Sequence, residues 1–325
     1  RSNYYDFFHK RRDTTSLALT NNKYITLGIK MKNFSIHKLL FSLGLAVSSV
    51  TTVVADTDSQ TSVWKVSNGE DAVYVGGTIH ILPISEFPLP SEFTDIYEQA
   101  DTLVFEAKMP DPSDIEGQKK MMAGLAYAEG KSLKDDVSEE TYQALNAYLS
   151  NFGATADQLA RFKPGMVASM LVAMEAQRSQ MAGQGVDAYF MQLAARDGKA
   201  SEYLESLDFQ INMLANMGAG EEDRLISETL ETLPELEDML KSTIKAWREG
   251  DTEQIDELVV DTFKRESPTS YDDVFTKRNQ NWLPQIEAMF GDEDQEFVLV
   301  GAGHLVGDDS VIALLEAKGY KVEQM

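Results

Sequence analysis

The sequence predicts an α/β fold: a central β-sheet built from N- and C-terminal strands, with a large helical middle. Three observations predict it. Short strand-like runs fall at residues 63–66, 72–75, 102–107, 200–205, 297–300 and 321–323. Residues 114–197 and 206–290 instead carry apolar residues at helical spacing, the first stretch rich in Met and Ala. Two of the runs also end in the same phrase. Residues 72–75 lead into Gly77-Thr78-Ile79-His80, and residues 297–300 lead into Gly301-Ala302-Gly303-His304. Of four histidines in the chain, only these two lie beyond residue 55. A strand, glycine and histidine phrase near each end implies one site assembled from both ends.

The elements follow in order. Residues 63–66 and 72–75, joined by Ser67-Asn68-Gly69-Glu70, predict a β-hairpin. A loop broken by Pro83, Pro88 and Pro90 follows, and Ser91 caps a short helix to residue 100. Residues 102–107 (TLVFEA) form the next strand, with Glu106 near its exit. Ser138 opens one helix, Pro164 sits in the first turn of another, and residues 185–196 make a third. Residues 200–205 (ASEYLE) return to strand, with Glu205 at the exit. A second helical block covers 206–290, with breaks at Gly218, Gly250 and Pro268. The chain closes as strand, Gly-x-x-His, helix over 308–318, and strand over 321–323. Methionines at helical spacing are read as core.

Residues 31–55 have the parts of a secretory signal peptide. Lys32 and Lys38 precede a 16-residue apolar stretch containing hydroxyls, and Val53-Val54-Ala55 offers small residues for cleavage. The stretch is shorter than the ~20 apolar residues of a membrane span. Residues 1–30 are expected to be an upstream extension outside the fold, and residues 56–325 one α/β domain with a helical insert. Cleavage before Asp56 would leave a periplasmic or secreted protein with no stable membrane anchor. Eight of the 29 basic and two of the 53 acidic residues precede Asp56, which leaves 21 against 51 and a net charge of −30. Such a surface repels phosphate backbones and anionic lipid, so nucleic acid is not an expected partner. With no cysteine in the chain, disulfides, thiol nucleophiles, cysteine-ligated zinc and iron–sulfur clusters are excluded.

In α/β folds ligands gather at the carboxyl ends of strands. His80, Glu106, Glu205 and His304 all take that position. Two imidazoles with one or two carboxylates suit a divalent metal, Mn, Co or Zn among the candidates. Such an ion lowers the pKa of bound water and polarises a carbonyl. Arg278 and Asn279, in a polar helical stretch, are candidates for binding a substrate carboxylate or steadying an oxyanion. Their ordinary reading is a solvated helix face. Gly301-Ala302-Gly303-His304-Leu305-Val306-Gly307 imitates a dinucleotide loop, but too little chain follows for a nucleotide half-domain.

Taken together, Val63-Trp64-Lys65-Val66, Gly77-Thr78-Ile79-His80, Leu103-Val104-Phe105-Glu106, Gly185-Val186-Asp187, Tyr203-Leu204-Glu205 with Gln210, Arg278-Asn279 with Trp282, and Gly301-Ala302-Gly303-His304 resemble the TraB/GumN family in content and order. The resemblance covers roughly residues 63–325. It implies an erythromycin-esterase/ChaN-like α/β fold. The family includes the Tiki proteins, described as metal-dependent peptidases with two Gly-x-x-His motifs. Other members are tied to shutting down peptide pheromones or sit beside polysaccharide gene clusters. Carried over by position, the resemblance implies His80, His304 and Glu106 as metal ligands, Glu106 being ligand or base. Glu205, Arg278 and Asn279 match further family positions. The expected function is a metal-dependent hydrolase, a peptidase on a peptide or small-molecule substrate. The alternative is a non-catalytic protein that sequesters a peptide or haem through the same site.

Overall fold

The first two strands form the predicted hairpin: β1 (Val63–Asn68) and β2 (Asp71–Thr78) pair antiparallel. Gly69 joins them at φ +71°, a left-handed value that costs glycine no Cβ clash. The computed structural model describes residues 60–110, 113–266, 268–291 and 293–325. The signal-like segment 31–55 and the extension 1–30 lie outside the described residues.

Four more strands complete a six-stranded mixed sheet: β3 (Thr102–Ala107), β4 (Ala200–Glu205), β5 (Glu296–Gly301) and β6 (Lys321–Gln324). Their spatial order is β4-β3-β5-β2-β1-β6. β5 lies parallel between β2 and β3, and β3 lies parallel to β4. Every residue of β5 is buried, as befits a central strand covered on both faces. Phe297 and Leu299 face one core cluster and Val298 and Val300 the other, the alternation a strand imposes. β6 returns to pair antiparallel with β1, so the last strand closes on the first.

The register matters for function. Thr78 of β2 stands opposite Gly301 of β5, and Ala107 of β3 opposite Glu205 of β4. The four parallel strands therefore release their carboxyl ends along one edge, where all four candidate groups emerge.

The helical middle follows the predicted punctuation. A helix spans Pro164–Arg178 with Pro at its first turn, and Val186–Asp197 follows Gly185 and ends at Gly198. Gly218 and Gly250 break the second block at φ +75° and +61°. Leu236–Arg248 and Lys277–Glu287 are the helices of that block that reach the strand ends. Two π-helical segments, Asp256–Asp261 and Asp272–Thr276, were not foreseen. After β5 the chain makes a single tight turn, Ala302–His304, and the next helix begins only at Val311. The dinucleotide-like phrase thus opens no helix and has no anion-binding terminus. Among the described residues no helix is long and apolar enough to cross a membrane.

Candidate active site

The strand exits hold a buried charge network centred on Arg278, which is fully buried. It comes from the helix Lys277–Glu287, whose preceding π-helical turn presents the Val274 carbonyl to Nη1 at 3.4 Å. Nε and Nη2 donate to the two oxygens of Glu205 at 2.7 and 2.9 Å. Nη2 also reaches Glu106 Oε2 at 2.6 Å. Glu205 further accepts from Trp282 Nε1 at 2.9 Å and Gln210 Nε2 at 2.6 Å. The other oxygen of Glu106 accepts the Gly301 backbone N–H at 2.8 Å. The solvated-face reading of Arg278 is therefore corrected. Its donors are spent on two glutamates brought from strands 172 and 73 residues away, and none is open to a substrate carboxylate.

His304 completes this network and is itself fully buried. Asn279 Nδ2 donates to the Asp309 carbonyl at 2.8 Å, which turns Asn279 Oδ1 toward His304 Nδ1 at 2.6 Å. His304 Nδ1 must then carry the proton, and Nε2 accepts from Arg278 Nη1 at 3.1 Å. Burial pushes the His304 pKa well below the usual histidine value, and the Arg278 charge pushes it further. The ring is a neutral, fixed tautomer packed on Trp282 and Phe275.

His80 behaves in the opposite way. It stands at the rim with its side chain 49% exposed, and Nδ1 meets Asp187 Oδ2 at 2.7 Å. Asp187 opens the helix Val186–Asp197, and its other oxygen accepts the Thr78 hydroxyl. The Asp187 charge, with its hydrogen bond, raises the His80 pKa to about 9. Burial pushes the Glu106 carboxyl up, but Arg278, then the two histidines and the Gly301 N–H, hold it well below the usual range. One histidine is thus a cation at neutral pH and the other is not.

The two Gly-x-x-His loops touch. A Cβ on Gly77 would come within 3.1 Å of Ala302, and one on Gly185 within 2.4 Å of the His80 carbonyl. Neither glycine has positive φ, so close approach, not a sharp turn, is what requires them. The loops jointly border a cavity of about 150 Å³ lined by Thr78, His80, Gly301 and Gly303 among others. A larger cavity of about 660 Å³ lies beside the helix Leu207–Ala215. None of the four strand-end groups lines it, whereas His80 lines the smaller one.

The donor set answers for the expected ion as follows. His304 directs Nε2 at a guanidinium, and both Glu106 oxygens are already engaged. Among the described residues no three His, Asp or Glu are grouped to hold a metal. His80, His304 and Glu106 share one region, but in this arrangement they do not form a ligand sphere. Asp187 was missed as a site residue. It appeared only in the Gly185-Val186-Asp187 phrase, where an acid in the first turn of a helix passes for ordinary N-terminal stabilisation.

The model of the TraB/PrgY/gumN family matches residues 62–324. A relative named Metalloprotease TIKI1, from Danio rerio, is 22% identical over 332 residues, an alignment covering 85% of this chain and 65% of the relative. The chain thus spans a little under two thirds of that relative's length. No solved structure matches the chain, so the erythromycin-esterase/ChaN likeness stays an implication of the resemblance.

Proposed function

The chain belongs to the TraB/PrgY/gumN family, and from that premise we propose a peptide hydrolase that acts outside the cytoplasm and requires a divalent ion, which His80, Glu106 and His304 would hold only after leaving their present partners. One observation carries the reading: both Gly-x-x-His loops border one cavity, with a His80–Asp187 pair at its rim. The relative named as a metalloprotease supports the peptide and metal parts.

The chain's own groups divide the work. His80, kept protonated by Asp187, is placed to donate a proton to the nitrogen that leaves a cleaved amide. Arg278, Glu106 and Glu205 act as positioning residues. They fix the Gly301–His304 loop through the Gly301 N–H and hold His304 neutral. Removing the ion tests the metal requirement. Hydrolysis of a broad peptide library by the purified chain is expected to vanish on chelation and return with Mn, Co or Zn. Hydrolysis indifferent to chelation removes the metal from the proposal and leaves the hydrolase. A chain that binds peptides and cleaves none returns the sequestering alternative.

The location rests on residues 31–55. Intact-mass measurement of exported protein is expected to show a start at Asp56. A product that keeps residues 39–54 would reject secretion and favour an anchor.

A further inference from the structure

The helix Leu207–Ala215 is apolar on more than one face. Ile211 and Ala215 pack with Leu125 in a small core cluster of their own. Phe209 and Met213, one turn apart on another face, instead line the cavity of about 660 Å³, and Phe209 is 38% exposed. Met217, Phe263 and Val274 complete its apolar walls. A soluble helix normally covers such a face, and an apolar face left open marks a binding surface. The volume is that of a ligand pocket, which runs from about 300 to 1,000 Å³.

The polar lining narrows the guest. Asn212 and Asn281 bring exposed side-chain amides from two different helices. An amide offers donors and an acceptor, the complement of a peptide backbone. The charges on the walls have partners within the chain: Asp273 pairs with Lys277 at 2.5 Å, and Glu221 with Arg224. Nothing there calls for a charged guest, and the acidic surface repels the head of a fatty acid. Apolar walls between amides fit an extended peptide that lays down one large apolar side chain. Methionine walls adapt to shape, so they suit leucine, methionine and phenylalanine alike.

The cavity adjoins the buried charge network. Its helix begins two residues after Glu205, and Gln210 of that helix holds Glu205 at 2.6 Å. Val274, on its wall, gives its carbonyl to Arg278. His80 follows β2, three places from β4 in the strand order. Three places at ~4.8 Å make about 14 Å, the reach of about four residues of extended peptide.

We infer that this cavity holds an apolar side chain of the substrate peptide about four residues from the cleaved bond, on one side of it only. The inference rests on the hydrolase reading of the strand-end site. Peptides of glycine and serine, built around a bond that the full chain cleaves, test it with a single leucine moved through each position on either side. Leucine about four residues away on one side is expected to raise kcat/KM at least about tenfold over glycine, the scale on which apolar pockets discriminate. Methionine and phenylalanine there should come within a few-fold of leucine, and aspartate should gain nothing. Phe209→Ala and, separately, Met213→Gln should each cut the leucine advantage several-fold. Neither residue belongs to a core cluster, so both variants should fold; should one fail, the other carries the test. A second readout needs no turnover: calorimetric titration with glycine-serine peptides that carry leucines or none, and with dodecanoate.

A leucine preference that neither variant alters, or none at that distance, overturns the assignment and leaves the hydrolase. Leucine-peptide binding weakened by Phe209→Ala, with no peptide cleaved, keeps the cavity as a peptide site and overturns the hydrolase. Dodecanoate bound through Phe209 while peptides are ignored overturns the peptide occupant. Neither binding nor cleavage of leucine peptides overturns both readings.

Discussion

Arg278→Met is expected to cost about 3–5 kcal/mol of folding stability at neutral pH, the scale for breaking a buried ion pair by removing one partner. Against a total of roughly 5–15 kcal/mol for a globular domain, that is a severe loss. The cause is specific. Glu106 and Glu205 would keep their buried positions but lose the guanidinium that answers both. His304 would lose the donor to its Nε2. Urea unfolding at pH 7 reads the loss. The triple variant Arg278→Met, Glu106→Leu, Glu205→Leu should recover much of it, because an apolar replacement of a whole buried ion cluster is often neutral or better. Acid reads the same network in the native chain. The Glu106 carboxyl is held below its unfolded value, so its contribution is complete above about pH 4.5 and is lost as pH falls through the depressed value. An Arg278→Met protein as stable as the native one at pH 7 would show that the network carries no such weight.

That network marks how far the sequence could be read. Most strands were legible because short apolar runs beside turn residues are a local signal. The convergence of His80, Glu106, Glu205 and His304 on one edge followed from parallel strands sharing an exit side, and the sheet places all four there. Arg278 was not legible. Its neighbours, Lys277-Arg278-Asn279-Gln280-Asn281, have the composition of a solvated face. Only Glu106 and Glu205, fixed by tertiary pairing, make burial of that arginine affordable. The histidines show the same limit. Their phrases are near copies, but the Asp187 charge raises the proton affinity of one, while burial and then the Arg278 charge lower that of the other. The π-helical turns that set Val259 against one loop and Val274 against Arg278 left no trace in apolar spacing.

Asp187→Asn is expected to produce the largest change in chemistry with little change in fold. Asn keeps the shape and an acceptor for the Thr78 hydroxyl, but removes the charge that is the main cause of the raised His80 pKa. In protein stripped of divalent ions, an NMR titration of His80 should find its midpoint near pH 9 in the native chain. In Asp187→Asn it should fall toward the usual 6.5, since the charge that raised it is gone. The stability consequence has a fixed sign. A histidine whose folded pKa is raised contributes fully below its unfolded value of about 6.5, and the contribution fades as pH climbs to about 9. The native chain should therefore outlast Asp187→Asn in thermal melts at pH 6, with the gap closing by pH 9 to 10. If His80 is the proton donor to the leaving nitrogen, peptide hydrolysis should drop in the variant by about 4-fold at pH 7 and about 30-fold at pH 8, the fall in the protonated fraction as the midpoint moves from about 9 to about 6.5. The ring would be both less protonated and less firmly oriented. A native His80 midpoint near 6.5, or hydrolysis unchanged in Asp187→Asn, would remove the pair from the reaction and leave the rim histidine with a binding role alone.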